Sequence, residues 1–245
     1  TLRIYRIICN FAFQSKVMNK RIFIGICAIL LLTSCAHEYN QVYKTANNDY
    51  KYEFAKQCFA EGKYGFAVPL LQDLVTIKKG SNNAQECLYM LAMAEYCLKD
   101  YQAASETFKK YYQTYPRGQY AEMASFYMGE SLFEGTPEPR LDQTPTITAI
   151  AAFQEYLDIF PNGKMKETAQ QRLFSLQDKL IQKEYLNAKL YYNLGSYFGN
   201  CTNGGNNYEA CIITATNALN DYPYSELREK FALLIMKSKF ELAQM

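Results

Sequence analysis

Residues 99–116 read KDYQAASETFKKYYQTYP, and this stretch decides the fold. Ala104, Phe108 and Tyr111 recur at the spacing of one helix face, which is typical of an amphipathic helix with one buried side. The pair Tyr115-Pro116 closes the stretch, because proline disfavours helical geometry in the residue before it. The sequence therefore predicts a helix that packs through Ala104 and stops at Tyr115.

The same arrangement recurs along the chain with a fixed internal spacing. In three stretches a proline lies twelve residues after a small residue, and the pairs are Ala104 with Pro116, Ala149 with Pro161, and Cys211 with Pro223. A first copy begins at Gly62–Ala67, lacks the proline and ends at Lys79-Gly80. Upstream of these helices stands another helix with its own small residue: Ala55, Ala92 or Gly129. Small side chains there predict helix pairs that approach closely, as in a hairpin.

Two interruptions and one unpaired helix modify this repeat. Residues 135–140 form a Gly- and Pro-rich loop inside the third hairpin, and residues 164–197 predict one extended helix followed by a polar loop. Ser225–Met245 predicts a first helix with no second one after it, so we expect a chain cut short at its C-terminus. The residues then expected to lie uncovered on one face are Phe231, Leu234 and Ile235.

A helix–turn–helix unit that recurs in this way resembles the tetratricopeptide repeat, whose period is about 34 residues. The resemblance implies an all-α, right-handed superhelical solenoid without a sheet. We expect it to cover residues 46–245 as about 4.5 repeats, the last being incomplete.

The N-terminus carries an export signal. Met18 starts a charged segment, so residues 1–17 are interpreted as a non-native upstream segment and residues 18–34 as a signal peptide. The apolar run Ile22–Leu32 is too short to span a bilayer. It ends in LTSC, which resembles the lipobox of bacterial lipoproteins and implies lipidation of Cys35, with residues 35–45 as a lipidated tether. The alternative is an ordinary secretory cleavage site that happens to precede a cysteine.

Charge and residue content exclude several classes of function. Residues 1–34 hold five basic residues and no acidic one, so the remainder has 21 basic and 24 acidic residues and gives no reason to expect nucleic-acid binding. His37 is the single histidine, and no Cys-x-x-C pair occurs, so neither a metal site nor a cofactor is expected. Neither a nucleophile–base pair nor a phosphate loop is recognisable, which predicts a protein that is not an enzyme. The remaining cysteines are expected to be mostly small buried residues: Cys58, Cys87, Cys97, Cys201 and Cys211.

Beyond the repeat, four short segments resemble the BamD family, lipoproteins of the outer-membrane β-barrel assembly machine. They are RLDQT at 140–144, AIAAF at 149–153, FPN at 160–162 and AKLYY at 188–192. The resemblance implies an assembly factor that is lipid-anchored to the periplasmic face of the outer membrane. The partners that it implies are the periplasmic domains of BamA, other lipoproteins of the machine, and unfolded β-barrel proteins. In relatives BamA docks on the C-terminal repeats.

A peptide groove is the candidate binding site. Aromatic residues spaced seven apart share one face of each first helix, and we place six of them in the groove: Tyr52, Phe59, Tyr89, Tyr96, Phe126 and Phe133. The resemblance implies a ligand that ends in an aromatic residue, the C-terminal segment of an unfolded barrel protein. Packing between helices is the alternative explanation for these rings. The loop at residues 135–144 has two equally weighted interpretations, a partner-binding feature or a tolerated insertion.

A second class of function is a nutrient-binding lipoprotein of the SusD type, which also carries tetratricopeptide hairpins. That family needs a far longer chain, and sugar sites commonly use tryptophan platforms, whereas this sequence contains no tryptophan. The assembly scaffold is therefore the favoured hypothesis.

Overall fold

The computed structural model describes residues 39, 41–44, 47–78, 80, 83–196 and 206–245. The predicted signal peptide, Cys35 and Cys201 lie outside these residues. The chain divides into two compact units, one ending at Ile77 and the other beginning at Lys78.

The first unit contains a helical hairpin, α1 (Asn48–Ala60) and α2 (Tyr64–Ile77). The side chain of Asn47 accepts hydrogen bonds from the backbone N–H groups of Asp49 and Tyr50, which caps the start of α1. Between the helices Gly62 adopts a φ of +73°, a conformation that favours glycine. Residues 41–43 are also helical, and Val42 is buried.

The second unit consists of helices that pack one against the next along the chain. They are α3 (Ala84–Cys97), α4 (Tyr101–Thr114), α5 (Ala121–Glu134), α6 (Thr144–Ile159), α7 (Lys166–Leu194), α8 (Asn207–Asp221) and α9 (Arg228–Gln244). In addition, α7 contacts both α5 and α9. The described residues contain helices and no strand, so the predicted all-α fold of consecutive helical pairs is confirmed.

Small residues make the close contacts that the sequence predicts. The side chains of Ala104, Ala149 and Cys211 are fully buried on the second helices of their hairpins. On α5, a Cβ atom at Gly129 would lie 3.0 Å from the ring of Phe153 on α6. A larger side chain at Gly129 would therefore push these two helices apart.

A tyrosine hydroxyl closes two of the corners between hairpins. The Tyr111 hydroxyl accepts a hydrogen bond from the backbone N–H of Tyr120 at 3.2 Å. One repeat later, the Tyr156 hydroxyl accepts the N–H of Met165, also at 3.2 Å. Each bond satisfies an N–H group at the start of the following helix, so the end of one hairpin fixes the beginning of the next.

Glycine is required at these corners by the position of the hydroxyl. A Cβ atom would lie 2.7 Å from the Tyr111 hydroxyl at Gly118, and 2.5 Å from the Tyr156 hydroxyl at Gly163. At the third corner, after Tyr222-Pro223, alanine (Ala218) replaces the tyrosine and serine (Ser225) replaces the glycine. There the Ser225 hydroxyl itself accepts the N–H of Leu227 at 3.0 Å. At the third corner the N–H group at the start of the helix therefore also has an acceptor, but the accepting oxygen belongs to Ser225 and not to a tyrosine.

Our expectation for the last helix is wrong. Phe231 and Leu234 are buried in a core cluster with Ile181 of α7 and with α8, and Ile235 packs partly against it. The exposed apolar residues of α9 are instead Leu233, Met236 and Phe240. The reason is that α9 rests on both α7 and α8, which together cover the face that we had assigned to a further helix.

Candidate functional site: a tyrosine-lined face

Four half-buried tyrosines of α3 and α5 line one face of the second unit. Tyr89 and Tyr96 lie two turns apart on α3. The Tyr89 ring stacks on Tyr120, the N-cap residue of α5, with centroids 4.4 Å apart and planes at 12°. The Tyr96 ring meets the Tyr127 ring edge-on at 5.3 Å. We call this set, Tyr89, Tyr96, Tyr120 and Tyr127, the tyrosine face.

The hydroxyl groups of this face are poised as hydrogen-bond donors. Burial, reinforced by the neighbouring tyrosines Tyr127, Tyr120 and Tyr111, raises the pKa of Tyr89 to about 12. Burial, reinforced chiefly by the carboxylates of Glu130 and Glu134, raises the pKa of Tyr96 to about 12. Burial and then Glu130 also raise the pKa of Tyr127. These phenols therefore stay protonated at neutral pH. Within the described residues the hydroxyls of Tyr89, Tyr96 and Tyr127 make no hydrogen bond, so their donors are left for water or a ligand.

An ion pair extends the face from α5 to α7. The Arg172 guanidinium donates two hydrogen bonds to the Glu130 carboxylate, at 3.0 and 2.6 Å, and lies 4.4 Å from the centre of the Phe133 ring. The Glu130 side chain is 7% exposed and that of Arg172 is 34% exposed. The hydrogen bonds with Glu130 raise the pKa of Arg172. A charged, doubly bonded pair of this kind fixes α7 against α5.

The inserted loop between α5 and α6 is held in one conformation. Gln143, a buried residue, donates through Nε2 to the carbonyls of Glu138 and Leu141, at 2.8 and 3.1 Å. Its Oε1 accepts the hydroxyl of Thr146 at 2.7 Å. From α7, the Lys183 ammonium donates to the Leu141 carbonyl at 2.7 Å. The loop thereby presents the exposed side chain of Leu141 on a fixed backbone.

A second lysine of α7 supports the start of the same loop. The Lys179 ammonium donates to the Thr136 hydroxyl, and that hydroxyl donates to the Phe133 carbonyl at 2.7 Å. Burial lowers the pKa of Lys179. Two lysines of the long helix α7, Lys179 and Lys183, therefore hold the inserted loop through hydrogen bonds.

The structure brings together only part of the predicted groove. Tyr89 and Tyr96 lie on the tyrosine face, and Phe133 lies beside it under Arg172. Phe126 is 2% exposed and packs against Phe153 and Tyr156 of α6, so its ring lies in the core and not on the tyrosine face.

The two remaining candidates belong to the first unit. Tyr52 is buried there, and the Phe59 ring packs edge-on against Tyr64 at 5.5 Å. Helix packing, which the sequence left open, thus explains Tyr52 and Phe126. The groove remains a prediction for the rings of the second unit.

Sequence reasoning missed two residues of the tyrosine face, Tyr120 and Tyr127, and the ion pair beside it. Tyr120 and Tyr127 are also seven apart, a signal that was available in the sequence. Tyr120 was overlooked because it precedes the helix. No local pattern could have paired Arg172 with Glu130, since the two residues are 42 positions apart.

The described residues contain no cluster of side chains suited to a metal ion. Four cysteines lie among these residues, and three of them, Cys58, Cys87 and Cys211, are buried as predicted. Cys97 is exposed. Within the same ranges, no helix combines the length and the apolar character needed to cross a bilayer.

Comparison with known protein families finds a match over most of the chain. The family described as outer membrane lipoprotein, YfiO, matches over residues 44–245. The chain belongs to this BamD-like family of outer membrane lipoproteins, which confirms the resemblance found in the sequence. A comparison with curated proteins found no match.

Proposed function

We propose that this member of the family is a lipid-anchored scaffold of outer-membrane β-barrel assembly, held at the periplasmic face of the membrane through Cys35. The family match supports the assembly function, and the LTSC motif supports the anchor. Two or more acyl chains hold a protein stably on a bilayer without any spanning helix. The scaffold contributes binding and no chemistry of its own.

The tyrosine face receives an extended segment of an unfolded β-barrel protein. Tyr89 and Tyr96 are about 10.5 Å apart along α3, since each residue rises 1.5 Å. An extended peptide covers that distance in about three residues. Flat rings supply contact area at low entropic cost, and the open phenol hydroxyls can donate to backbone carbonyls. The observation that carries this proposal is the set of half-buried tyrosines whose hydroxyls have no protein partner among the described residues.

The periplasmic domains of BamA dock on α7, α8 and α9. Exposed apolar side chains occur on all three helices: Leu190 and Leu194 on α7, Ile213 on α8, and Leu233, Met236 and Phe240 on α9. Leu233, Met236 and Phe240 are spaced three and four residues apart and therefore share one face of α9, and contiguous exposed apolar side chains mark protein–protein interaction sites. Other lipoproteins of the machine are further partners in this proposal.

Peptide binding tests the proposed receptor face. A labelled peptide with the C-terminal sequence of a β-barrel protein, ending in an aromatic residue, is titrated with the protein. The double variant Tyr89→Ala, Tyr96→Ala should raise the Kd by at least about tenfold, since two central rings are removed. The matched control is Tyr224→Ala, because Tyr224 is 98% exposed and lies outside the face. An unchanged Kd in a double variant with native circular dichroism would refute the peptide face.

A charge placed on α9 tests the BamA interface. The double variant Leu233→Glu, Met236→Glu should weaken binding to the periplasmic region of BamA without changing the helical content. Ile147→Glu, on the exposed side of α6, is the control and should bind normally. Equal affinity of all three proteins would remove α9 from the proposed interface.

A further inference from the structure

Aromatic packing fixes the chain to the first unit very close to its proposed lipid anchor. The Tyr39 ring lies 5.0 Å from the Phe66 ring of α2, and it stacks on Tyr43 at 5.9 Å. Val42, between them in sequence, is buried. Residue 39 is therefore part of the folded unit and is not a free tether.

The chain between the anchor and this contact is too short to let the unit leave the membrane. Three residues lie between Cys35 and Tyr39, and a fully extended chain covers at most about 14 Å over the four Cα-to-Cα steps that join them. The headgroup region on each side of a bilayer is about 5–7 Å thick. If Cys35 is acylated, as proposed above, the Tyr39–Tyr43 region must lie at the membrane surface or just above it.

The side chains exposed near this point suit a membrane interface. Tyr43 is 43% exposed and Tyr50 is 50% exposed. Exposed Lys44 follows Tyr43, whereas Lys51, whose ammonium lies 5.6 Å from the centre of the Tyr43 ring, is itself buried. Tyrosine is enriched at the headgroup level, where its ring meets the acyl chains and its hydroxyl meets water. Long lysine side chains reach the same level.

The charges around these tyrosines nearly cancel. Lys44 and Lys51 are accompanied by Asp49 and by Glu53 on α1. A patch of this composition has little attraction for anionic lipid as such, so the contact would depend on the aromatic rings and on the short anchor. It should accordingly be insensitive to salt.

We propose that Tyr43 and Tyr50 form a membrane-contact face, through which the first unit lies against the headgroups of the bilayer that holds Cys35. This inference rests on the proposed lipidation. It adds that the anchor sets how the first unit faces the membrane, because the contact and the acylated residue lie within one short segment.

The absence of tryptophan from the sequence allows a direct test. Tyr43→Trp and Tyr50→Trp each place a single tryptophan in the lipidated protein, and Tyr224→Trp is the control in the second unit. The proteins are reconstituted on vesicles of phosphatidylethanolamine with a minority of phosphatidylglycerol. Tryptophan emission is then measured with and without lipids brominated near the headgroup. Sedimentation of the vesicles reports anchoring independently.

The expected result is a blue shift and strong quenching for Tyr43→Trp and Tyr50→Trp, unchanged by added salt, with water-like emission for Tyr224→Trp. Sedimentation with water-like emission at positions 43 and 50 would overturn the contact face and leave the lipidation standing. Equal quenching at all three positions would also overturn it, since the contact would not be specific. If the protein with Cys35 intact did not sediment with the vesicles, both the lipidation and the contact face would be overturned.

Discussion

Replacing Gly163 with alanine should destabilise the corner between α6 and α7. The new Cβ atom would lie 2.5 Å from the Tyr156 hydroxyl and 3.0 Å from both Glu122 Oε1 and the Phe160 carbonyl oxygen. The hydroxyl can move only by giving up the N–H of Met165 at 3.2 Å and Glu122 Oε1 at 3.3 Å. Overpacking costs about 1–3 kcal/mol, and each lost hydrogen bond costs about 1 kcal/mol. The two costs are alternatives, since the hydroxyl is either compressed in place or displaced from its two partners, so we expect a loss of about 1–3 kcal/mol.

Urea unfolding followed by circular dichroism measures this loss, and thermal unfolding provides a second readout. For a chain of this size each kcal/mol lowers the Tm by about 2–4 °C. Gly65→Ala is the matched control, because its Cβ atom would meet nothing within 4 Å. It lies in α2, so alanine there should be neutral or stabilising by up to about 1 kcal/mol.

A double-mutant cycle separates the steric conflict from a general effect of alanine. Tyr156→Phe removes the clashing hydroxyl, so Gly163→Ala should cost at least about 1 kcal/mol less in that background. The third corner combines the absence of this hydroxyl with a side chain at the glycine position, because Ala218 and Ser225 occupy the equivalent positions. Equal costs of Gly163→Ala in the two backgrounds would refute the explanation that the hydroxyl excludes a side chain.

Three further predictions concern the site and its support. Gln143→Leu should release the inserted loop, because two carbonyls lose their donor; trypsin cleavage within the loop should accelerate, and unchanged cleavage would contradict this. Arg172→Met should cost about 1–3 kcal/mol by leaving the buried Glu130 carboxylate unpaired, measured by urea unfolding, and a neutral result would exclude a stabilising ion pair. The pKa of Tyr89 and Tyr96 rises from 10.0 to about 12 on folding. The two raised pKa values therefore contribute fully to the free energy of unfolding below pH 10, and this contribution is lost as the pH rises from 10 to about 12. A free energy of unfolding that stays constant over that interval would contradict the raised pKa values.

Helix ends and interruptions could be predicted from the sequence because local chemistry sets them. The pair Tyr115-Pro116 ends α4 at Thr114, and the equivalent pairs end α6 at Ile159 and α8 at Asp221. The extended helix expected at 164–197 is observed as Lys166–Leu194. These features depend on residues close together in the chain, such as a proline or a constant small-residue offset.

The composition of the candidate site could be predicted only in part, because it depends on pairs of helices. Tyr89 and Phe126 both occupy aromatic positions on first helices, yet Phe126 is enclosed by Phe153 and Tyr156 of α6. No pattern within α3 or α5 shows that Phe126 becomes enclosed while Tyr89 stays half-buried. The bond of Gln143 to two loop carbonyls was equally hidden, since a glutamine in a polar loop gives no sign of burial.

Photo-crosslinking from the tyrosine face shows whether an unfolded β-barrel protein binds there. A photoreactive amino acid replaces Tyr127 in the lipidated protein on vesicles, and an unfolded outer-membrane β-barrel protein is added before illumination. The same substitution at Tyr224 is the control. We expect a covalent adduct with the barrel protein from position 127, mapping to its C-terminal segment, and little adduct from position 224. No adduct from position 127, or equal adducts from both positions, would contradict the claim that this face receives barrel proteins for assembly.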